Sequence, residues 1–350
     1  MNTEDGRAAR YVGVAWSADG YRTAQLDRHG RECAAPAHYS AARTADLVRD
    51  LLADHHGGPP LSVVIDSTNG LLDATLTAVG LTVLRADPWH LPARPLLGSA
   101  PAHSLALAAV SAPGGLDRLT VASGSLAGRG EEYQRGLARS EPAERELRAS
   151  GRLVPHGPRG VDAVALTFDD GPDPRHTPRI LALLARYGAH ATFFTVGMHA
   201  RAHPDLVRRL VGEGHGVGGH TWSHPFLPDL TGPQLTEQLD RTDEALGRAG
   251  SPAARWFRPP YGSRTPAVLH RIGASGRTTV LWDVDSRDWS QPGPDRIAET
   301  VLAAARPGSV VLLHDGAGDR SQTVAALPAI IEGLLARGLA LVGLDTLLPA

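Results

Sequence analysis

The sequence predicts an α/β protein in which a barrel-like domain of seven β/α repeats, residues 161–350, follows a smaller α/β module. Three observations carry this. From residue 161 onward, short apolar runs alternate regularly with helical stretches, the pattern of a parallel sheet built from β/α units. Several of those helical stretches open with Thr-Pro, His-Pro or Gly-Pro and end near a glycine, as helix boundaries do. The length, 350 residues, exceeds one typical domain.

The first module covers residues 1–125. Tyr11-Val12-Gly13-Val14-Ala15-Trp16 and residues 22–27 read as a hairpin turning at Ser17-Ala18-Asp19-Gly20. A second turn at Asp27-Arg28-His29-Gly30 precedes a helix over residues 41–53. A buried strand over 61–66, a helix over 71–79 stopped by Gly80, and a strand over 81–85 follow. This order resembles the ribonuclease-H-like fold, in particular the N-terminal part of DEDD-type transposases. The resemblance rests on the Val-Gly-Val strand, the strand ending at Asp66 and the Asp87-Pro88 junction. Those nucleases carry an acid in the first strand, where this chain has Ala15, and further acids after the Asp-Pro junction, where it reads Ser99-Ala100-Pro101-Ala102-His103-Ser104. Two-metal phosphoryl chemistry needs several converging carboxylates. The module is therefore expected to be non-catalytic, suited to dimerisation or partner binding, with Asp66 a helix N-cap or turn acid.

Residues 126–160 are rich in Arg, Glu, Gly and Ser and read as a linker, with a solvent-exposed helix of mixed charge over 131–148. Beyond it, strands are expected at 164–168, 191–196, 216–219, 255–258, 278–284, 309–313 and 340–344. Helices are expected at 178–187, 204–213, 232–248, 266–272, 294–305 and 323–337. A site in such a sheet lies at the C-terminal ends of the strands.

Composition narrows the function. Apolar residues at 42% suffice for a real core, and a net charge of −2 gives no electrostatic footprint for nucleic acid. All 35 basic residues are arginine, which carries no functional implication. A single cysteine, Cys33, excludes an internal disulfide or a thiolate cluster. Met1-Asn2-Thr3-Glu4-Asp5-Gly6-Arg7 lacks the basic start and apolar core of a signal peptide, and no run is apolar enough for a membrane span. A cytoplasmic protein is expected.

Chemistry-bearing residues cluster at the expected strand ends. Thr167-Phe168-Asp169-Asp170-Gly171-Pro172 ends a strand in two carboxylates, suited to one metal ligand and one base. In His220-Thr221-Trp222-Ser223-His224 two histidines four apart could share a helical face and one metal. With Asp170 they make an open, catalytic type of metal set. Arg258-Pro259-Pro260-Tyr261-Gly262 has a backbone stiffened by proline. Asp285-Ser286-Arg287-Asp288-Trp289 puts acids beside an indole, and Leu312-Leu313-His314 delivers a histidine at a strand tip.

These five motifs, in this order, resemble the polysaccharide deacetylases of carbohydrate esterase family four, the NodB homology domain, over residues 161–350. The resemblance implies a distorted (β/α)7 barrel and a metal-dependent N-deacetylase that hydrolyses the acetamide of an N-acetylated amino sugar. The sugar would belong to an oligosaccharide, a glycan precursor or a secondary-metabolite intermediate. It also implies roles: Asp169 the base, Asp170, His220 and His224 the metal ligands, Arg258 the partner of the base. The Tyr261 amide would serve the oxyanion, Asp288 would tune the acid His314, and Trp289 and Leu313 would wall the pocket. Zn²⁺ is the first expectation for the metal, with Co²⁺ or Mn²⁺ as alternatives. Two departures stand beside the site: Gly219 where Asn or Ser is frequent, and Gly216 where an acid is common. Alternative functions are removal of formyl groups or hydrolysis of another non-peptide C–N bond on the same fold, and nucleic-acid binding through the first module. Low charge and the missing acids argue against the last.

Overall fold

The computed structural model describes residues 10–121 and 124–349, in two compact units that part between Gly130 and Glu131. Met1–Arg7, on which the absence of a signal-peptide pattern was judged, lies outside the described residues.

The first unit runs β1 (Arg10–Ser17), β2 (Gly20–Asp27), β3 (Glu32–Ser40), α1 (Thr44–Gly57), β4 (Leu61–Asp66), α2 (Gly70–Ala78), β5 (Thr82–Ala86), α3 (Ala102–Ser111) and β6 (Asp117–Arg118). Its sheet order is β3-β2-β1-β4-β5-β6. The first three strands form an antiparallel meander, β4 and β5 continue in parallel, and β6 closes the edge antiparallel. The hairpin turns where the sequence places it, with Ser17 opposite Gly20. β3 and α3 are additions. β3 is a largely exposed edge strand containing Pro36, so it lacks the alternation that marks a half-buried strand. α3 lies so close to β1 that a side chain on Gly13 would overlap the Ala102 carbonyl, which explains the glycine inside an apolar strand. Asp66 is a turn acid: one carboxylate oxygen accepts from the Thr68 amide and hydroxyl at 3.0 and 2.6 Å, the other from the Ala100 amide at 3.0 Å.

The second unit contains α4 (Gly130–Ala149), β7 (Leu153–Val154), β8 (Ala163–Asp169), α5 (Thr177–Arg186), β9 (Thr192–Thr195), α6 (Gly197–Ala202), α7 (Pro204–Gly212), β10 (Gly216–Gly219), α8 (Gly232–Arg248), β11 (Trp256–Phe257), α9 (Pro266–Ala274), β12 (Thr278–Val280), β13 (Val284–Asp285), α10 (Pro294–Ala304), β14 (Val310–His314), α11 (Ser321–Ala336), β15 (Ala340–Leu341) and α12 (Leu344–Leu347). The strands form a curled sheet in the order β13-β14-β8-β9-β10-β11-β12-β7, with β15 also on β8, and every pair is parallel. This is the expected NodB-type (β/α)7 half-barrel.

Where composition suggests a linker and a solvated helix, the chain builds structure. β7 joins the sheet beside β12, and Ala143 and Leu147 of α4 pack with Leu153, Leu269 and Leu281. The apolar face of α4 is too sparse among its charges to be recognised without its partner. The expected strand over 278–284 breaks into β12 and β13, and that over 340–344 gives way to α12 after two residues.

Strand alternation sorts the side chains. On β8, Val164, Leu166 and Phe168 face the surrounding helices, in one core with Ile180, Leu184, Ile330 and Leu334. Ala163 and Ala165 face inward with Phe194, Trp256, Val280 and Val310. Asp169 continues that inward row. At Gly218 a side chain would meet the Phe194 ring at 2.7 Å, so glycine lets β10 pass the interior aromatic.

Candidate active site

β8 carries Asp169 inward, and the next residue reverses the alternation. Asp170 has φ of 76°, a left-handed conformation that costs a non-glycine residue of order 1–3 kcal/mol and turns its side chain to the same end of the barrel. Neighbours hold it there: the His199 Nδ1–H donates to the Asp170 carbonyl at 2.7 Å, the Asp315 amide to the Asp169 carbonyl at 3.0 Å, and the Val196 amide to the Gly171 carbonyl at 3.0 Å.

His220 and His224 are brought together by an irregular loop, not by the helix their spacing suggests. Thr221 and His224 have φ of 66° and 58°, and Pro225 follows, so a helix cannot form. The loop is pinned from α8, whose buried Gln238 accepts from the Trp222 and Ser223 amides at 2.8 and 3.1 Å and donates to the Ser223 hydroxyl.

The Asp170, His220 and His224 ligand atoms lie within 4.8 Å of one another, all buried. His220 Nδ1 is 2.6 Å from the Arg258 carbonyl, which can only accept. That fixes the proton on Nδ1 of the neutral ring and leaves the Nε2 lone pair facing Asp170 Oδ1 at 3.4 Å. His224 Nε2 is 3.1 Å from the same oxygen, and Asp170 Oδ1 has no hydrogen-bond partner. Converging lone pairs and an orphaned buried carboxylate oxygen repel one another unless a cation sits among them. The donor set therefore fits a divalent metal.

Arg258 is wholly buried and donates to Asp169 Oδ1 at 2.7 Å and to Thr167 Oγ1 at 2.7 Å, with the Val280 and Leu281 carbonyls taking its other nitrogens. Its guanidinium lies 4.1 Å from the Phe194 ring centre. Asp169 is thus ion-paired on one oxygen, while the other lies 3.7 Å from His220 Nε2. Tyr261, with φ of 58°, sets its ring edge-on to His224 at 4.5 Å.

Across the same strand ends, His314 Nδ1 meets Asp288 Oδ1 at 2.7 Å. The second Asp288 oxygen accepts from the His314 amide at 2.9 Å and the Thr323 hydroxyl at 2.8 Å. Burial alone would pull the His314 imidazolium down; Asp288 overrides it and pushes the group up to about 9. Trp289 is half-buried beside Asp288. Leu313 does not wall the pocket. It is fully buried among the helix-facing residues, and strand alternation puts Leu312 on the His314 face instead.

A polysaccharide deacetylase profile matches residues 156–280. A chitooligosaccharide deacetylase of Sinorhizobium fredii is 43% identical over 198 residues, 53% of this chain and 92% of the relative. The chain belongs to the polysaccharide deacetylase family. A peptidoglycan-N-acetylglucosamine deacetylase of Bacillus cereus is 40% identical over 58% of this chain and 96% of its own. Among solved structures, a peptidoglycan N-acetylglucosamine deacetylase in complex with 4-naphthalen-1-yl-N-oxidanyl-benzamide superposes with a TM-score of 0.56, at 36% identity, over 58% of this chain and 95% of its own. A family 4 carbohydrate esterase pseudoenzyme from Bacillus anthracis superposes at 0.53 with 28% identity, over 56% and 69% of the two chains. Fold alone therefore does not carry activity in this polysaccharide deacetylase family, and the side chains must be argued individually. Those that sequence reasoning did not single out as contributors are Thr167, His199, Gln238, Leu312, Asp315 and Thr323. Thr167, Leu312 and Asp315 lie in or beside the quoted motifs, whereas His199, Gln238 and Thr323 reach the site only through contacts distant in the chain.

Proposed function

We propose that the chain is a divalent-metal-dependent N-deacetylase that hydrolyses the acetamide of an N-acetylated amino sugar to a free amine and acetate. Convergence carries this reading: the Asp170–His220–His224 set, the Arg258–Asp169 pair and the Asp288–His314 pair all sit at the C-terminal end of one parallel sheet. Asp170, His220 and His224 would hold the cation. When bound it acidifies water and polarises the acetyl carbonyl.

The chain's own residues do the rest. Asp169, held by Arg258, takes the proton from the attacking water. The Tyr261 amide donates to the oxygen of the tetrahedral intermediate, a contribution of roughly 3–4 kcal/mol for a well-placed donor. His314, kept charged by Asp288, hands its proton to the departing nitrogen. Trp289 borders the substrate at the rim of the site. Zn²⁺ is the preferred cation, with Co²⁺ and Mn²⁺ compatible with one carboxylate and two imidazoles.

The substrate is a short or lipid-linked N-acetylated glycan or a small acetylated intermediate. The aromatic content, 5%, offers little for binding a long insoluble polymer. A cytoplasmic location belongs to the same reading and is tested by cell fractionation. Among the described residues no helix is long and apolar enough to cross a membrane. For the first unit the reading is a non-catalytic module suited to self-association, since Asp66 is spent on Thr68 and Ala100. The test of function is acetate release from N-acetylglucosamine oligomers by protein loaded with Zn²⁺, Co²⁺ or Mn²⁺. No acetate from a broad acetylated panel, with mass spectrometry showing no other acyl group lost, would refute it.

A further inference from the structure

The helix that composition hides in a linker is fastened to the loop bearing Tyr261. Tyr133 of α4 donates its hydroxyl to the Tyr261 carbonyl at 2.8 Å. Two and three turns further on, the Ser140 hydroxyl meets the Arg264 carbonyl at 3.2 Å, and Glu144 accepts from Arg264 Nε at 2.6 Å. Arg264 in turn donates to the Gly262 carbonyl at 2.7 Å. The Glu144 and Arg264 side chains are 8% and 14% exposed, so this pair is screened little by solvent. The family match begins at residue 156, so α4 lies outside it.

Tyr261 needs such support. Its φ of 58° is unfavourable for a residue with a side chain, and it adjoins metal ligand His224. Pro259 and Pro260 stiffen the chain before it. Anchoring the carbonyl after it leaves few soft torsions through which the Tyr261 amide could swing.

We propose that Tyr133 is a positioning residue for the deacetylation reaction, fixing the direction of the Tyr261 amide from a helix that precedes the family match. The inference rests on the oxyanion role given above to that amide. An amide aimed in advance stabilises charge that develops only in the transition state, so its loss lowers kcat without weakening substrate binding.

Tyr133→Phe removes the hydroxyl and keeps the ring. Expected are a kcat about tenfold lower, a KM within twofold of wild type, and a proportionate loss of affinity for a phosphonate analogue of the tetrahedral intermediate. In metal-free protein, hydrogen exchange over residues 258–264 is expected to be faster in the variant. Wild-type kcat, a loss that appears in KM instead, or unchanged exchange would each overturn the proposal. If wild-type protein released no acetate the proposed function would fall, while the exchange comparison would still decide whether Tyr133 holds the loop.

Discussion

Replacing Asp288 by Asn should move the alkaline limb of the activity profile to lower pH. His314 is 13% exposed and is kept charged chiefly by Asp288, itself buried and 2.7 Å away, with a smaller contribution from Asp170. Burial pulls the imidazolium down; the carboxylate lifts it from 6.5 to about 9, which amounts to roughly 3 kcal/mol in favour of the charged ring. Asn keeps the size of the side chain and removes the charge, so burial is left to act and His314 should titrate below about 6.5. At pH 8 the wild-type ring is mostly protonated, whereas at most a few per cent of the variant's is, a loss of roughly thirtyfold in kcat/KM. Acetate release measured from pH 5 to 10, at matched metal content, reads the limb directly. The same link has a stability arm. A group whose folded value exceeds its unfolded one stabilises fully below about 6.5, and that contribution fades as pH rises through about 9. The variant should therefore lose the wild type's extra thermal stability near pH 6 and differ less near pH 10. An unchanged alkaline limb would refute His314 as the acid that Asp288 keeps charged.

Packing and charge predict three further outcomes. Arg258→Met strands the buried Asp169 carboxylate; losing one partner of a buried pair costs about 3–5 kcal/mol, or about 10 °C in melting temperature, which calorimetry would register. Gly218→Ala should cost about 1–3 kcal/mol, because its methyl would meet the Phe194 ring at 2.7 Å. Gly219→Ser should melt within about 2 °C of wild type, since its nearest neighbours, Phe257 and Thr242, stand at 3.6 and 3.9 Å. Denaturant titration of both glycine variants checks the pair.

Much of the second unit was legible because its strands and helices keep their own periodicities and its motifs are short strings at strand ends. Local text fails where a contact comes from far along the chain. α4 shows mixed charges and a proline, Pro142, and only Leu153, Leu269 and Leu281 reveal its buried face. The spacing of His220 and His224 suits a helix, yet Pro225 and two left-handed residues make a loop whose shape is set by Gln238, in the following helix. Leu312 and Leu313 are chemically identical, yet strand alternation alone places Leu312, two residues before His314, on its face, a signal already present in the sequence. β3 leaves little trace in the local text because an exposed edge strand has no buried face to write into the sequence.

Asp169 and Asp170, the adjacent carboxylates at the end of β8, are proposed to do different work. Asp170 has an oxygen with no hydrogen-bond partner facing two imidazoles, whereas Asp169 is tied to Arg258. The most direct measurement is metal content and turnover of Asp170→Asn and Asp169→Asn, purified side by side. Asp170→Asn is expected to lose metal and activity together, while Asp169→Asn keeps its metal and loses turnover. Equal loss of metal in both variants would contradict that difference.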